Sequence, residues 1–303
     1  MSVRIGVSPI AWINDDMPRL GAGTPLSRVL GEAREAGFSG IELGGTFPRQ
    51  AAGLRALLAP HGLDVAGAWF GGRLLVDDVA AEVARAQAHL ALLKAMDCRV
   101  FIYAETSNAI HGDADAPLSG APRLPKPSWG PFGDRLTRFA QVVAGEGLRL
   151  AYHPHLGTVV EGPADIAAFL DHTDGAVGLT LDTGHAALAG VDAVGLIRRH
   201  SARIAHVHCK DVRRPVFDAL SARGGSFLDG VVAGMFTAPG DGELDWDGVM
   251  AALADIAYQG WLVVEAEQDP ALAEPKAYAA LGLATLQASA KAAGLTVEGR
   301  VMA

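Results

Sequence analysis

Short apolar runs rich in Val, Ile and Leu alternate along the chain with longer Ala/Leu-rich stretches of helical period. The runs predict strands over residues 3–8, 40–43, 63–69, 99–104, 148–153, 177–182, 203–209 and 261–267. Between them the pattern predicts helices near 25–36, 49–60, 77–96, 132–146, 163–171, 192–200 and 246–258, with a last one near 274–292. Local punctuation agrees: Thr24-Pro25 and Gly162-Pro163 open helices, and Gly37, Gly62 and Gly147 stand just past helix ends. Eight strand–helix units in 303 residues predict an α/β fold, a (β/α)8 TIM barrel, as a single domain over 1–303. A doubly wound sheet is the rival, but SPIAWINDD after the first strand holds no glycine-rich phosphate loop. Links from helix to strand are short and centred on Gly (AGFSG, HGLDV, EGLRL). Links leaving the strand ends are longer, and the two longest, 106–132 after strand 4 and 212–245 after strand 7, predict functional loops at the C-terminal face.

Four strands end abruptly in ionisable side chains: LRLAYHPH (148–155), VGLTLDTGH (177–185), RIAHVHCKD (203–211) and GWLVVEAEQD (260–269). Singly, such an end is ordinary. A strand-end Asp is usually a helix cap, and a core His is usually just hydrogen-bonded. Four in one barrel point instead to convergence on a cation or a charged substrate. Alternation puts His153 with His155, His206 with His208, and Glu265 with Glu267 on shared faces. One inward ligand from each strand gives His153, Asp182, His208 and Glu265. Two imidazoles and two carboxylates suit Mn²⁺, Co²⁺, Fe²⁺ or Zn²⁺, and leave room for a substrate to chelate the ion.

Composition narrows the partners. Half the residues are apolar and 19% are charged, as in a globular enzyme. A formal charge of −9 disfavours nucleic acid and anionic membranes, since both attract positive surfaces. Cys98 and Cys209 lie far apart and suggest no disulfide framework, which fits a reducing cytoplasm. MSVRIGVSPI lacks the features of a signal peptide, and no apolar run approaches the ~18 residues of a membrane helix. The expected partner is a small molecule, with neither nucleic acid nor membrane, and the long mouth loops are compatible with a homo-oligomer.

The motifs LDTGH, HVHCKD and GWLVVE resemble the xylose-isomerase-like barrel superfamily of sugar isomerases, epimerases and AP-endonuclease relatives. PIAWINDDMP (9–18), EAREAGFSGIELG (32–44), AYHPHLGTVVE (151–161), LDTGHAALAG (181–190), HVHCKDVR (206–213), SFLDGVVAGMFTAPGDGELD (226–245) and GWLVVEAEQDP (260–270) resemble, more specifically, the myo-inosose-2 dehydratases of inositol catabolism. Two places depart from the pattern. Superfamily epimerases generally carry Glu where this chain has His153, and dehydratase relatives often read His-His-His-Met-Gly at His153-Pro154-His155-Leu156-Gly157.

The resemblance implies Mn²⁺ or Co²⁺ and dehydration of a cyclitol substrate, 2-keto-myo-inositol, to a trihydroxycyclohexane-dione. Elimination of water β to a ketone needs a base for the α-proton, an electrophile for the enolate and an acid for the departing hydroxyl. His155, His185 and Glu267 are the candidates for proton transfer. Lys210 is a candidate to hold a substrate oxygen, its ordinary alternative being a surface ion pair with Asp211. Trp12, Asn14, Asp15, Glu42, Trp69 and Glu105 are candidates to bind a polyhydroxylated ring. Of the adjacent Asp15 and Asp16, at most one is expected to point inward. The alternative activity is a ketose isomerase or epimerase; an abasic-site endonuclease sits poorly with the negative charge.

Overall fold

The computed structural model describes residues 1–299. Its centre is a ring of eight parallel strands: β1 (Ser2–Val7), β2 (Gly40–Leu43), β3 (Asp64–Gly72), β4 (Val100–Glu105), β5 (Arg149–Tyr152), β6 (Val177–Asp182), β7 (Ile204–Cys209) and β8 (Trp261–Val264). Each strand pairs with the next, and β8 pairs with both β7 and β1, so the sheet closes on itself. Closure leaves no barrel edge unpaired, which is how a fully parallel sheet satisfies its backbone. The result is a (β/α)8 TIM barrel, as the strand–helix alternation predicts.

Helices α1 (Leu26–Ala36), α2 (Ala51–Leu58), α3 (Val79–Ala95), α4 (Trp129–Gly145), α5 (Pro163–His172), α7 (Ala193–Arg199), α10 (Trp246–Asp255) and α11 (Pro275–Ala292) surround the ring. Their apolar faces, with Val29, Leu93, Phe139, Phe169, Leu253 and Leu286, join the outward residues of the strands in one large core. Inside the ring a narrow layer holds Val100, Ile102 and Ala151. Below it the Trp261 indole lies across β2, where a Cβ on Gly40 would come within 2.4 Å of the ring.

Several elements at the C-terminal end of the barrel are absent from the strand–helix prediction. Thr183–Leu188 (α6) follows β6 directly, because Asp182 caps it with Oδ1 on the amides of Gly184 and His185. The expected irregular loop after β7 instead folds into a short antiparallel ribbon, Asp211–Val212 with Phe236–Thr237, around α8 (Arg214–Ala222) and α9 (Phe227–Ala233). A capping box of Ser226 and Asp229 starts α9. Buried Asp211 holds the far end of this segment by accepting from Gly240 N, Leu244 N and Trp246 Nε1.

The β4 loop meets this insertion through a bridge between Pro117 and Ser226, and Leu118 N donates to Gly225 O at 3.0 Å. A second apolar cluster forms there, including Met17, Leu156, Phe227, Val231 and Phe236, separate from the main core. These segments roof one side of the barrel mouth. Among the described residues no helix is long and apolar enough to cross a membrane.

Candidate metal and substrate site

The β6–β7 register sets Asp182 opposite His208 and, one level lower, Thr180 opposite His206. β5 and β8 end sooner than their apolar runs suggest, so His153 and Glu265 stand just past the last paired strand residues. Both stay tethered to the neighbouring strand, His153 N donating to Tyr103 O at 2.7 Å and Glu265 N to Cys209 O at 3.0 Å. The four side chains meet at the mouth. His153 Nε2 lies 3.2 Å from His208 Nδ1 and 3.4 Å from Asp182 Oδ2. His208 Nδ1 lies 3.7 Å from Asp182 Oδ2 and 3.6 Å from Glu265 Oε2.

These residues fit a divalent cation. Donor atoms of His153, Asp182 and His208 lie within 4.8 Å of one another, all buried. Asp182 Oδ2 has no hydrogen-bond partner, although its other oxygen caps α6. A buried anionic oxygen left without a hydrogen bond is costly, and a metal ion is a partner that suits such an atom. Electrostatics say the same. Burial lowers the His208 imidazole, yet Glu265 and Glu42 outweigh it and hold it well above the usual histidine range. The carboxylates demand positive charge, which a divalent ion supplies in place of that proton. The donor set is mixed N/O, as in sites for first-row divalent ions.

Lys210 occupies the next position outward. It is buried, and its Nζ lies 3.0 Å from Glu265 Oε2, 3.0 Å from Glu267 Oε2 and 3.6 Å from Asp182 Oδ2. The ordinary alternative, a surface ion pair with Asp211, does not form, because Asp211 is spent on backbone amides and Trp246. Burial lowers Lys210, but Glu265, Asp182 and Glu267 carry it well above the ordinary lysine range, so it stays an ammonium. A buried charge network of this kind adds little net stability compared with apolar packing, which favours a functional reason for it. Burial pushes the Glu267 carboxyl up against the pull of Lys210.

His155 and His185 stack beside this network with ring centroids 3.8 Å apart. Leu156 N donates to His185 Nδ1 at 3.2 Å, which leaves the ring proton on Nε2, and Nε2 is 3.3 Å from Lys210 Nζ. Both of those nitrogens are donors, so together they offer protons to an acceptor oxygen placed between them. Burial lowers both imidazoles well below the histidine range, so they are neutral near pH 7. Phe227 and Phe236 of the roof pack on His185, at 5.8 and 4.9 Å between centroids.

An open cavity rises from this floor. His153, His155, His185, His208, Lys210, Glu265 and Glu267 line it, together with Glu42, Trp69 and Asp15. Trp69 is 37% exposed and meets the His153 and His155 rings in T-shaped contacts. Asn14 does not line the cavity but donates to Glu267 Oε1 at 3.5 Å. Glu42 does more than face a substrate, since its Oε1 accepts from His206 Nε2 at 2.7 Å and His208 Nε2 at 3.1 Å.

Besides Asn14, two further expected ring contacts lie elsewhere. Trp12 follows a 3-10 turn at Pro9–Ala11 that turns its indole into the core, where Nε1 donates to Glu32 at 2.6 Å. Glu105 shares the outer face of β4 with Tyr103, while Ile102 faces the cavity. It is spent on Ser107 N at 3.0 Å and Leu75 N at 3.1 Å. Asp15 and Asp16 both line the cavity, against the expectation that one at most would. Alternation does not govern them, because Asn14 Oδ1 accepts from Asp16 N and Met17 N and bends the chain into a turn.

Sequence reasoning also passed over His111, in the β4 loop. Its ring lies 4.8 Å from that of His155, and Nε2 is 3.9 Å from Asp16 Oδ1. Irregular loops carry no period that would announce such a residue.

The sequence profile of the family described as xylose isomerase-like TIM barrel matches residues 30–289, and the chain belongs to that family. Within it, the chain is similar to the rhizopine catabolism protein MocC of Rhizobium meliloti, 46% identical over 294 residues spanning 97% of this chain and 90% of that protein. It is also similar to inosose dehydratase 1 of Bacillus cereus, 40% identical over 280 residues, 92% of this chain and 94% of that one. Among solved structures, an L-ribulose 3-epimerase superposes with a TM-score of 0.66 at 20% identity, covering 96% of each chain. A probable 3-DHS dehydratase from Bacillus anthracis gives 0.65 at 15% identity, covering 94% of this chain and 99% of that one. At such identities these two structures share the fold and no more.

Proposed function

We propose that this chain is a metal-dependent hydro-lyase that removes water from a cyclic polyhydroxy ketone, 2-keto-myo-inositol, to give a trihydroxycyclohexane-1,2-dione. The observation that carries the reading is the adjacency of two features: a cation locus and a lysine-bridged pair of carboxylates, at the floor of one cavity. The similarity to an inosose dehydratase over 92% of the chain supports the choice of substrate.

In this reading His153, Asp182, His208 and Glu265 hold the ion, Mn²⁺ or Co²⁺ by the family resemblance. A bound divalent ion supplies Lewis acidity at substrate oxygens. The chain's own groups supply the rest. Glu267, with its raised carboxyl, is the base that takes the proton α to the ketone. Lys210 beside it hydrogen-bonds the substrate oxygen that gains negative charge. His185 Nε2–H hydrogen-bonds the hydroxyl leaving from the β-carbon, His155 packs against that ring, and the Lys210 ammonium protonates the hydroxyl and regains its proton from Glu267. One C–H and one C–O bond break, a C=C bond forms as one water leaves, and the enol product tautomerises to the dione. Trp69 stacks on the C–H face of the ring while Asp15 and Asp16 accept from its hydroxyls. The roof limits bulk water around the reacting carbons.

The test uses the full-length protein, stripped of metal, with 2-keto-myo-inositol and added Mn²⁺ or Co²⁺. The expected result is a conjugated dione absorbance that vanishes with chelator and returns with metal. Recovery of an isomeric ketone without loss of water would establish the isomerase alternative instead.

A further inference from the structure

We propose that His206 is a positioning residue that decides, through Glu42, which nitrogen His208 offers to an ion. The proposal rests on the reading of His153, Asp182, His208 and Glu265 as a metal centre. Two residues apart on β7, His206 and His208 point the same way, with His206 one level deeper and fully buried. A single oxygen, Glu42 Oε1, lies 2.7 Å from His206 Nε2 and 3.1 Å from His208 Nε2. A carboxylate only accepts, so both rings must present N–H there. That commits the Nε2 proton of His208 and turns its Nδ1 toward His153 Nε2, Asp182 Oδ2 and Glu265 Oε2. Metal-bound histidines ordinarily have their second nitrogen anchored in this way.

The anchor is itself anchored. Glu42 sits at an irregularity in the β2–β3 register, opposite Gly67. A Cβ at Gly67 would lie 2.9 Å from Glu42 Oε1 and 2.7 Å from Ile102 Cδ1, so the glycine makes the space in which the carboxylate lies. His206 Nδ1 has no hydrogen-bond partner, so the ring spends its one hydrogen bond on Glu42. A buried imidazole with half its polar capacity unused is poor structural cement. It makes sense as a donor that keeps Oε1 in place under His208.

Glu42, His206 and His208 also bring donor atoms within 4.8 Å of one another, which sets the rival: a second ion with His206 as its ligand. Calorimetric titration of the metal-free, full-length protein with Mn²⁺ separates the two. The wild type is expected to bind one ion per chain. His206→Leu, which removes the donor at similar volume, is expected to weaken binding about 10- to 100-fold. His206→Gln restores an N–H toward Glu42 and recovers most of the affinity, a rescue that loss of packing alone would not allow. Gly67→Ala displaces Glu42 from the other side and weakens binding likewise, and it carries the test if His206→Leu does not fold. Wild-type affinity in His206→Leu or in Gly67→Ala overturns the proposal, as does a stoichiometry of two ions falling to one. A wild type that binds no Mn²⁺ overturns the metal centre itself. Wild-type binding with an unaffected variant overturns only the role of His206.

Discussion

Asp182 divides its two carboxylate oxygens between two tasks. Oδ1 holds the first amides of α6, and Oδ2 faces His153, His208 and Lys210. The tasks separate by substitution. Asp182→Asn keeps an oxygen for the cap and loses the charge, so Mn²⁺ titration is expected to show at least about a tenfold loss of affinity. Asp182→Ala loses both, and urea unfolding of the metal-free proteins should place it about 1 kcal/mol below Asp182→Asn. Equal stability of the two variants would mean that the cap contributes nothing. The cap and the proposed ligand are not rival readings of LDTGH, because the two oxygens of one side chain face different partners. At this scale the sequence is legible where strand parity governs, as for His153 with His155 and His206 with His208. It misleads where parity is lost or miscounted. Trp12 is turned inward by a 3-10 turn, and Glu105 falls on the outer side of β4 with Tyr103.

Among the elements, α3 carries a titrating group at its contact with the barrel. His89 packs on Phe70 and Phe101 and donates to Ala68 O, and burial pushes it down to about 4. The unfolded chain takes up a proton near 6.5, while the folded chain resists until about 4. The contribution to stability is therefore whole above pH 6.5 and is lost as pH falls toward 4, by about 2 kcal/mol once the ring's partial exposure is allowed for. His89→Gln should flatten that part of the pH dependence of the urea midpoint, and an unchanged slope would count against it. All eight strands were legible from their apolar runs, because burial on both faces writes a continuous signature. Helices α6, α8 and α9 were not. They are short, lie over the mouth, and have apolar faces that pack on the roof cluster rather than on the barrel wall.

Over the whole molecule, the floor of the cavity and its roof draw on different cores. The floor hangs from the strand ends and the large core outside them. The roof rests on its own cluster around Phe227, Val231 and Phe236, joined to the β4 loop at Pro117 and Leu118. Cooperative units with separate packing open separately. Phe227→Ala removes a buried ring worth about 3–5 kcal/mol in a tight core. Amide exchange should then accelerate across residues 210–236 while β4, β6 and β7 keep their protection. Acceleration spread evenly over the barrel would show instead that roof and floor unfold as one.

Such a division has a bearing on descent. The four residues of the proposed ion locus are set by the register of four strands, so drift there disturbs them together. Those that close over the ring hang on a small cluster whose rearrangement leaves the strand register alone. Lineages sharing this barrel can therefore reshape the roof over the cavity while the charged floor at the strand ends is inherited unchanged.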